Sequence, residues 1–419
     1  MKNASAVVLS EAPARDRRAV GSPDPVEEVR IVRSLEEIES IRPIWSSWKS
    51  DRDSDLDFCL EVVWTRKGVV RPHVVILLNN GRPEAMLVGR LEQGRMISKI
   101  GYVRLPGISC RSLVFSGILG NTSPGNCGKL IRSIMTSLRK GEADAAVLEG
   151  LPLQCDLHRT ALGAPGPLSR DWIPAIREHE VMVVPDSIEE VYRRMSAKHR
   201  KNLRREVKHF FAQFKEASIV CYAGESQLDT LFRDAELIAK KTYQRALGAG
   251  FADNKSVRQS LGHAARRGWL RANVLYVGER PVAFWIGTLY RHTFVSEYMG
   301  YDPEFRRSSP GMVLIMRVID GFCQRQNGDI VNELDFGSGS AEYKQSLSTR
   351  GSVEASVFIF SPSARGAALN LTRTVSNFID RLARKFLGPA QRAVKKAWRS
   401  RLASKAAAAS LGTTTKEEM

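Results

Sequence analysis

The sequence predicts a mixed α/β protein built from two similar units and followed by basic helices. The first observation is a repeat, because Gly81–Leu91 aligns without gaps with Glu279–Leu289. Each copy begins with a turn that contains Arg-Pro and continues as an apolar strand with an interior glycine, which often marks a close backbone approach. The second observation is the length of 419 residues, which exceeds one ordinary core and suits two domains with tails.

The order of elements around the repeat favours a duplication. A short strand precedes each copy, at Val74–Leu78 and at Val274–Val277. After each copy, a glycine opens an apolar helix and a buried strand follows. These later elements are the helices Gly128–Leu138 and Gly311–Gln326 and the strands Ala145–Leu148 and Val331–Phe336. At the start of the second unit, residues 188–214 and 227–247 have helical periodicity.

Composition divides the chain into five segments. We expect a disordered tail at 1–25, an N-terminal unit without a donor-binding site at 26–184, a C-terminal unit at 185–362, basic amphipathic helices at 363–405 and a second disordered tail at 406–419. The boundary between the units follows a Pro- and Gly-rich stretch, 163–174. The first 25 residues lack the apolar centre of a secretion signal.

Charge and cysteine usage exclude several classes of protein. No apolar run reaches the ~18 residues that a membrane span needs. The six cysteines form no CxxC pair and the seven histidines lack metal-ligand spacing, so we expect reduced cytoplasmic thiols and no metal. The net charge of +18 is uneven: residues 365–405 carry eleven Lys and Arg against one Asp, and residues 192–210 carry eight against one Glu. This distribution predicts two surfaces that bind anions.

A basic turn at Tyr301–Gly311 opens an apolar helix and predicts an anion cradle. Free backbone N–H groups and the positive end of the helix dipole attract negative charge at such a position. Pro310 supplies no N–H, whereas Ser309 can cap the helix. The candidate residues for binding an anionic donor are Arg306, Arg307, Ser309 and Gly311.

The second half resembles the GNAT acyltransferases over about residues 187–360. More specifically, it resembles the family labelled cellulose-biosynthesis protein CelD, which, like the Fem transferases, carries two GNAT-like units in tandem. In GNAT proteins the motif [Arg/Gln]-x-x-Gly-x-[Gly/Ala] wraps the pyrophosphate of an acyl-CoA. Here Arg306 and Gly311 match, and Ser309 replaces the central glycine, so an acyl carrier protein stays open as the alternative donor. The resemblance rests on Ser196–Arg205, Gly300-Tyr-Asp-Pro, Ser309-Pro-Gly311 and Asp335-Phe-Gly with Glu342-Tyr-Lys344.

The same resemblance implies catalytic roles for residues around the cradle. Gly300 would let its strand splay and free a backbone N–H for the oxyanion of the transition state. Glu297, with Asp302 as a rival, would accept a proton from the acceptor directly or through water. Tyr343 would reprotonate the departing thiolate, and Lys344 would hold a phosphate or neutralise negative charge. The structural alternatives are an exposed strand glutamate, and a tyrosine packed over the glycine-rich loop beside a solvated lysine.

Two further segments predict contacts with substrate and with a surface. Lys198, Arg200, Arg204 and Arg205, together with Asp335, are candidate substrate-binding residues, since arginine forks suit phosphates. In the basic tail, Leu371 to Phe386 repeat apolar residues at helical spacing, with cations on the other faces. This pattern is typical of a helix that lies on anionic lipid. A helix docked on its own domain, or one that grips an acidic carrier protein, is the alternative.

Together these observations predict a GNAT-family N- or O-acyltransferase that is cytoplasmic, with a peripheral position on the inner face of the membrane as a further expectation. It would move an acyl group from acyl-CoA, or from an acyl carrier protein, to a sugar, amine or lipid-linked acceptor in polysaccharide or cell-envelope biosynthesis. No metal and no DNA are expected. The alternatives are a Fem-like aminoacyl-tRNA-dependent transferase and a non-catalytic adaptor for membrane or nucleic acid with a decayed core.

Overall fold

The computed structural model describes residues 27–383 except 101–102, 243–244, 246–249 and 340. Over these residues, thirteen strands form one continuous sheet with helices on both faces. None of the described helices combines the length and the apolar character that crossing a bilayer requires. The predicted disordered tails, and the basic segment after residue 383, lie outside the described residues.

The first unit contributes eight strands and five helices. They are β1 (Glu27–Val32), α1 (Leu35–Ser40), α2 (Arg42–Ser46), α3 (Leu56–Thr65), β2 (Val69–Pro72), β3 (Val74–Asn79), β4 (Arg82–Met96), β5 (Lys99–Ile100), β6 (Val103–Arg104), β7 (Ile108–Gly120), α4 (Pro124–Arg139), β8 (Ala145–Pro152) and α5 (Asp156–Gly163). Ser34, Asp55 and Ser123 precede α1, α3 and α4, and each side chain accepts a hydrogen bond from the backbone of its helix.

The later part of the chain contributes seven strands and the remaining helices. They are β9 (Ala175–Val183), α6 (Ile188–Arg194), α7 (Ala197–Gln213), β10 (Ala217–Tyr222), α8 (Leu228–Ala239), α9 (Lys255–Arg266), β11 (Leu270–Val277), β12 (Arg280–Tyr290), β13 (Thr293–Tyr301), α10 (Pro310–Cys323), β14 (Glu333–Ser338), α11 (Glu342–Leu347) and β15 (Arg350–Phe360). Residues 364–383 form one further helix, the C-terminal helix. The helical stretch predicted at 188–214 is two helices, because Ser196 caps a new one.

The strands of the two units share their irregularities as well as their order. The register of β4 on β7 shifts between Val88 and Gly89, and that of β12 on β13 shifts between the aligned residues Ile286 and Gly287. A second pair of shifts lies at another pair of aligned positions, Leu77/Leu78 and Leu275/Tyr276. Since β-bulges are inherited as features of a fold, two matching pairs support the predicted duplication.

Each unit completes its sheet with a strand from the other part of the chain. The strand order is β1-β3-β4-β7-β8-β15-β9-β14-β13-β12-β11-β10, and β2 pairs with β4. The strand β15 pairs antiparallel with β8 of the first unit, whereas β9 pairs antiparallel with β14. Because β15 and β9 also pair with each other, the two units form one sheet. The predicted boundary at 184/185 therefore falls between strands of a shared sheet, and the division into domains stays a prediction.

Alternating side chains divide the core between two faces of this sheet. Leu87 on β4, and the aligned Trp285 on β12, belong to clusters that contain α4, α5, α6, α7 and α10, which we call the back face. Their neighbours Met86 and Phe284 belong to clusters that contain α1–α3, α8 and α9, which we call the front face. The C-terminal helix packs through Leu369 against Phe360 and Ala145. Ala145 alternates on β8 with Ala146, which belongs to the back-face cluster, so this helix lies on the front face.

Candidate active site

An opening between β13 and β14 forms the centre of the candidate site. The two strands are parallel neighbours only where Thr293–Val295 lies beside Glu333–Asp335. Beyond Val295, β13 continues to Tyr301 in pairing with β12, while its other edge leaves β14. The splaying predicted for this strand is therefore present, and it begins at the bulge opposite Gly287.

The backbone donor at this opening belongs to Met299 rather than to Gly300. The N–H of Asp302 donates to the carbonyl of Val282 at 2.8 Å. Alternation along an antiparallel pair then assigns the N–H of Gly300 to its partner Phe284 on β12 and directs that of Met299 toward the open edge. Gly300 is required for space, since a Cβ there would lie 2.7 Å from the Phe284 ring. The N–H of Gly300 therefore does not face the opening, and the oxyanion donor itself stays a prediction.

Glu297 is the bulged residue of β13, and its side chain turns to the front face. Its Oε1 lies 2.6 Å from Nη1 of Arg52 and accepts from the Thr288 hydroxyl at 3.3 Å. The same Arg52 nitrogen donates to Thr288 at 2.9 Å. The Arg52 and Glu297 side chains are only 17% and 19% exposed. Because Arg52 precedes α3 in the first unit, no local sequence pattern predicted this contact.

Asp335 lies in an ion-pair network at the junction of the exchanged strands. Its Oδ1 is 2.7 Å from Nε2 of His179 on β9, and Nδ1 of His179 is 3.1 Å from Oε2 of Glu354 on β15. Hydrogen bonds to Asp335 and then to Glu354 raise the pKa of His179 to about 10, so the imidazole is charged at neutral pH. Sequence reasoning predicted Asp335 as a substrate contact and missed His179 and Glu354.

The helix α11 brings Tyr343 and Lys344 to the end of β14. The Tyr343 ring packs edge-on against Phe336 with ring centres 6.0 Å apart, in the back-face core. The Lys344 ammonium donates to the carbonyls of Phe336 and Gly337 at 2.5 and 3.4 Å. Burial lowers the pKa of Lys344. In this arrangement Lys344 holds the end of β14, and its contact with a phosphate stays a prediction.

The basic turn before α10 leaves its cations exposed. Residues Pro303–Ser308 form a 3-10 turn, and Ser309 then adopts a left-handed conformation with φ 51°. The Ser309 side chain makes no capping hydrogen bond to α10, which corrects that expectation. Arg306 and Arg307 are exposed, and neither guanidinium has a partner among the described residues. The first turn of α10 therefore presents backbone N–H groups beside two unpaired cations.

The basic residues of α7 lie away from this turn. At the C-terminal end of α7, Phe214 packs against Phe305, with ring centres 5.6 Å apart. Arg205 is nine residues earlier, which is about 13 Å along a helix. Arg204 forms an ion pair with Glu189. Lys198, Arg200 and Arg205 have no side-chain partner among the described residues, and the structure does not unite these cations with the cradle.

Asp302, the rival of Glu297 as a base, is held by two cations. It is 2% exposed, and its Oδ2 lies 2.9 Å from Lys241 and 2.6 Å from Arg280. Its other oxygen accepts the backbone N–H of Glu304 at 3.1 Å, which caps the turn. These contacts give Asp302 a structural role in anchoring the cradle.

A cavity of about 230 Å³ in the first unit adjoins Arg52. Its wall includes Gly89 and Ser116, and Ser116 is the bulged residue that corresponds to Glu297. The wall also contains four apolar residues and five charged ones, which are Arg52, Asp53, Arg66, Arg90 and Glu149. A larger cavity of about 850 Å³ lies between β10 and α10, away from all of these residues. Among the described residues, no cluster of His, Cys, Asp and Glu could hold a metal ion.

Residues 197–345, which contain this opening and its cradle, match the family model described as Acetyltransferase (GNAT) domain. This segment is therefore similar to GNAT acetyltransferase domains. The crystal structure of FemX is similar to the whole arrangement, with a TM-score of 0.51 at 10% identity over 78% of this chain and 96% of that chain. The predicted fold of two tandem GNAT-like units is thereby confirmed.

Two other solved structures resemble the chain less strongly. One is a tandem GNAT protein from the clavulanic acid biosynthesis pathway, with a TM-score of 0.46 at 11% identity over 80% of this chain and all of that chain. The other is L-PGS from Bacillus licheniformis, with a TM-score of 0.45 at 11% identity over 83% of this chain and 97% of that chain. No curated protein matches the chain in sequence.

Proposed function

We propose that this protein is an acyltransferase that moves an acyl group from a thioester donor to an amine or hydroxyl acceptor. The donor is an acyl-CoA or an acyl carrier protein. The observation that carries the proposal is the opening between β13 and β14 within the segment that matches the GNAT family model. Glu297 lies on its front side, and the basic turn of α10 follows directly from β13.

The geometry supports direct transfer. The acceptor approaches from the front face, and its nitrogen or oxygen attacks the thioester carbonyl while Glu297 takes its proton directly or through water. The N–H of Met299 donates to the oxyanion that develops on the carbonyl oxygen. When the tetrahedral intermediate collapses, the carbon–sulfur bond breaks and Tyr343 gives its proton to the departing thiolate. Solvent then restores the phenol.

The cavity beside Arg52 suits a polar acceptor. Arg52, Arg66 and Arg90 line it together with Asp53 and Glu149, and the arginines also form ion pairs with Glu297 and Glu92. Charged side chains of both signs can form hydrogen bonds with the hydroxyl groups of a sugar. In line with the sequence resemblance to the family labelled cellulose-biosynthesis protein CelD, the proposed reaction belongs to cytoplasmic steps of polysaccharide or cell-envelope biosynthesis.

Thermal-shift titration tests the donor site directly. Acetyl-CoA, longer acyl-CoAs and acylated carrier protein are each added to the full chain, and a bound donor stabilises it by about 2.7 kcal/mol at a hundredfold excess over Kd. The variant Arg306→Ala/Arg307→Ala should lose this shift. Lys67→Ala/Arg82→Ala, which removes two exposed cations from the first unit, is the matched control and should keep it. No shift with any thioester contradicts the proposed donor class.

A Fem-like aminoacyl-tRNA-dependent transferase is the second candidate. The similarity to FemX in fold and the unpaired cations of α7 support it. Binding of tRNA through these cations weakens steeply with salt, whereas an acyl-CoA site in a cleft responds much less. A tRNA-dependent shift that is lost in Lys198→Ala/Arg205→Ala, together with no response to thioesters, would decide for this candidate.

A further inference from the structure

The C-terminal helix is anchored on the front face by one side only. The Arg373 guanidinium lies 3.9 Å from the ring centre of Phe358 and 3.4 Å from an oxygen of Asp171. Two amide side chains of the helix, at Asn370 and Asn377, donate to backbone carbonyls of the loop before β9. These contacts fix the orientation of the helix and therefore fix which side chains it turns outward.

The outward side of this helix is an unbroken apolar stripe. Its members recur at intervals of four, three, one and three residues, which places them on one face of an α-helix. Their exposed fractions range from 39% to 65%, and they are Leu371, Val375, Phe378, Ile379 and Leu382. Five large apolar side chains in one exposed stripe exceed the scattered apolar residues of an ordinary surface, so this stripe is an interaction surface.

The positive charge near the stripe indicates which class of partner binds it. Arg381 is exposed on the same helix, and residues 384–405 add eight Lys and Arg without a single acid. A second copy of the chain, or the segment 384–405 folded back on the stripe, would bring like charges together. A nucleic acid would neutralise the cations and leave the apolar side chains in water. An anionic bilayer accommodates both the apolar stripe and the cations, since it offers an apolar interior beneath a negative surface.

We infer that the C-terminal helix lies on an anionic lipid bilayer, with its apolar stripe in the boundary of the acyl chains and its cations at the lipid phosphates. The loop bonded to this helix also exposes Trp172, an aromatic residue of the type that favours such boundaries. This surface belongs to the same face of the sheet as Glu297, so the bilayer lies on the side from which the acceptor is proposed to enter. The inference itself does not depend on acyl transfer.

Vesicle flotation with the full chain tests the inference. One set of vesicles contains phosphatidylcholine with 30% phosphatidylglycerol, and the other contains phosphatidylcholine alone. We expect binding to the first set, weaker binding in high salt, and little binding to the neutral set. Leu371→Asp/Phe378→Asp should reduce binding at least about tenfold. Val220→Asp/Leu237→Asp, which places the same charges at exposed apolar positions elsewhere, should leave binding unchanged.

Every other result overturns the inference. Wild-type protein that ignores anionic vesicles shows that the stripe is covered by another part of the chain or serves another partner. Light scattering identifies a second copy if a dimer appears and dissociates in Leu371→Asp/Phe378→Asp. RNA binding without vesicle binding assigns the cations to nucleic acid. Equal loss of vesicle binding in both double variants would show that the added negative charge alone causes the loss, and that the apolar stripe does not bind the bilayer.

Discussion

Arg52 of the first unit forms an ion pair with Glu297 of the second, with Nη1 and Oε1 2.6 Å apart. A second contact close by joins the same two units, because the Tyr290 hydroxyl donates to Asp55 at 2.8 Å. The corresponding turn of the first unit, Ser123-Pro124-Gly125, opens α4 without an arginine pair before it, yet this unit fixes the carboxylate that we propose as the base. The tandem arrangement therefore contributes to the site, and a separated second unit would lack the partner of Glu297.

The Arg52–Glu297 pair should be strongly coupled. We expect Arg52→Gln, Glu297→Gln and the double variant to give a coupling free energy of roughly 1–3 kcal/mol in urea unfolding, because both side chains are mostly shielded from water. The exposed pair Arg258–Asp229, with side chains 43% and 94% exposed, is the control and should give less than about 1 kcal/mol. Additive effects at Arg52 and Glu297 would contradict a functional link between the units.

The aligned glycines Gly89 and Gly287 should not tolerate alanine. A Cβ at Gly287 would overlap the carbonyl oxygen of Val295, and one at Gly89 would overlap the Phe115 ring. We expect Gly287→Ala to reduce the free energy of unfolding by about 1–3 kcal/mol, since backbone cannot move aside as a side chain can. Gly94→Ala, on β4 with nothing within 4 Å of the added carbon, is the control. Equal stability of Gly287→Ala and this control would refute the close approach.

Part of the fold could be predicted from the sequence. The interior glycine of each strand copy marked the close approach, and the order of elements predicted the units. Pairing of β15 with β8 was not predictable, because it joins residues about 200 positions apart and leaves no local pattern. For the same reason sequence reasoning missed Arg52 and His179. Sequence reasoning also assigned the free N–H to Gly300. A glycine indicates a bend, but it does not show which residues of the strand direct their N–H groups toward the neighbouring strand.

His179 should make stability depend on pH in the alkaline range. Its folded-state pKa of about 10 lies above its ordinary value of 6.5, because Asp335 and Glu354 bind the charged imidazole. The stabilisation is therefore complete below about pH 6.5 and is lost as the pH rises toward 10. We expect wild type to lose roughly 1–3 kcal/mol relative to His179→Gln between pH 6.5 and 10, measured by urea unfolding. Parallel pH profiles of the two proteins would exclude a charged His179.

We expect Asp302 to have a structural role and Glu297 to have a catalytic one. Asp302→Asn weakens the contacts to Lys241 and Arg280 at a site that is 2% exposed, so we expect a loss of about 3 kcal/mol in stability with turnover per folded molecule preserved. Glu297→Gln should reduce turnover by about 10²-fold or more with little effect on donor binding. The opposite pattern, with turnover lost in Asp302→Asn, would make Asp302 the base.

Tyr343→Phe separates an enzyme from an adaptor. The variant keeps the ring that packs on Phe336 and removes only the hydroxyl, so the fold around α11 should be retained. If Tyr343 protonates the leaving thiolate, single-turnover acyl transfer should slow by about 10²–10⁴-fold while the donor-induced thermal shift persists. Lys344→Met is the companion variant. Because Lys344 binds the carbonyls at the end of β14, it should lower the melting temperature instead. Transfer that continues unchanged in Tyr343→Phe would assign the proton to another group, and an adaptor would show neither transfer nor a response to donors in wild type.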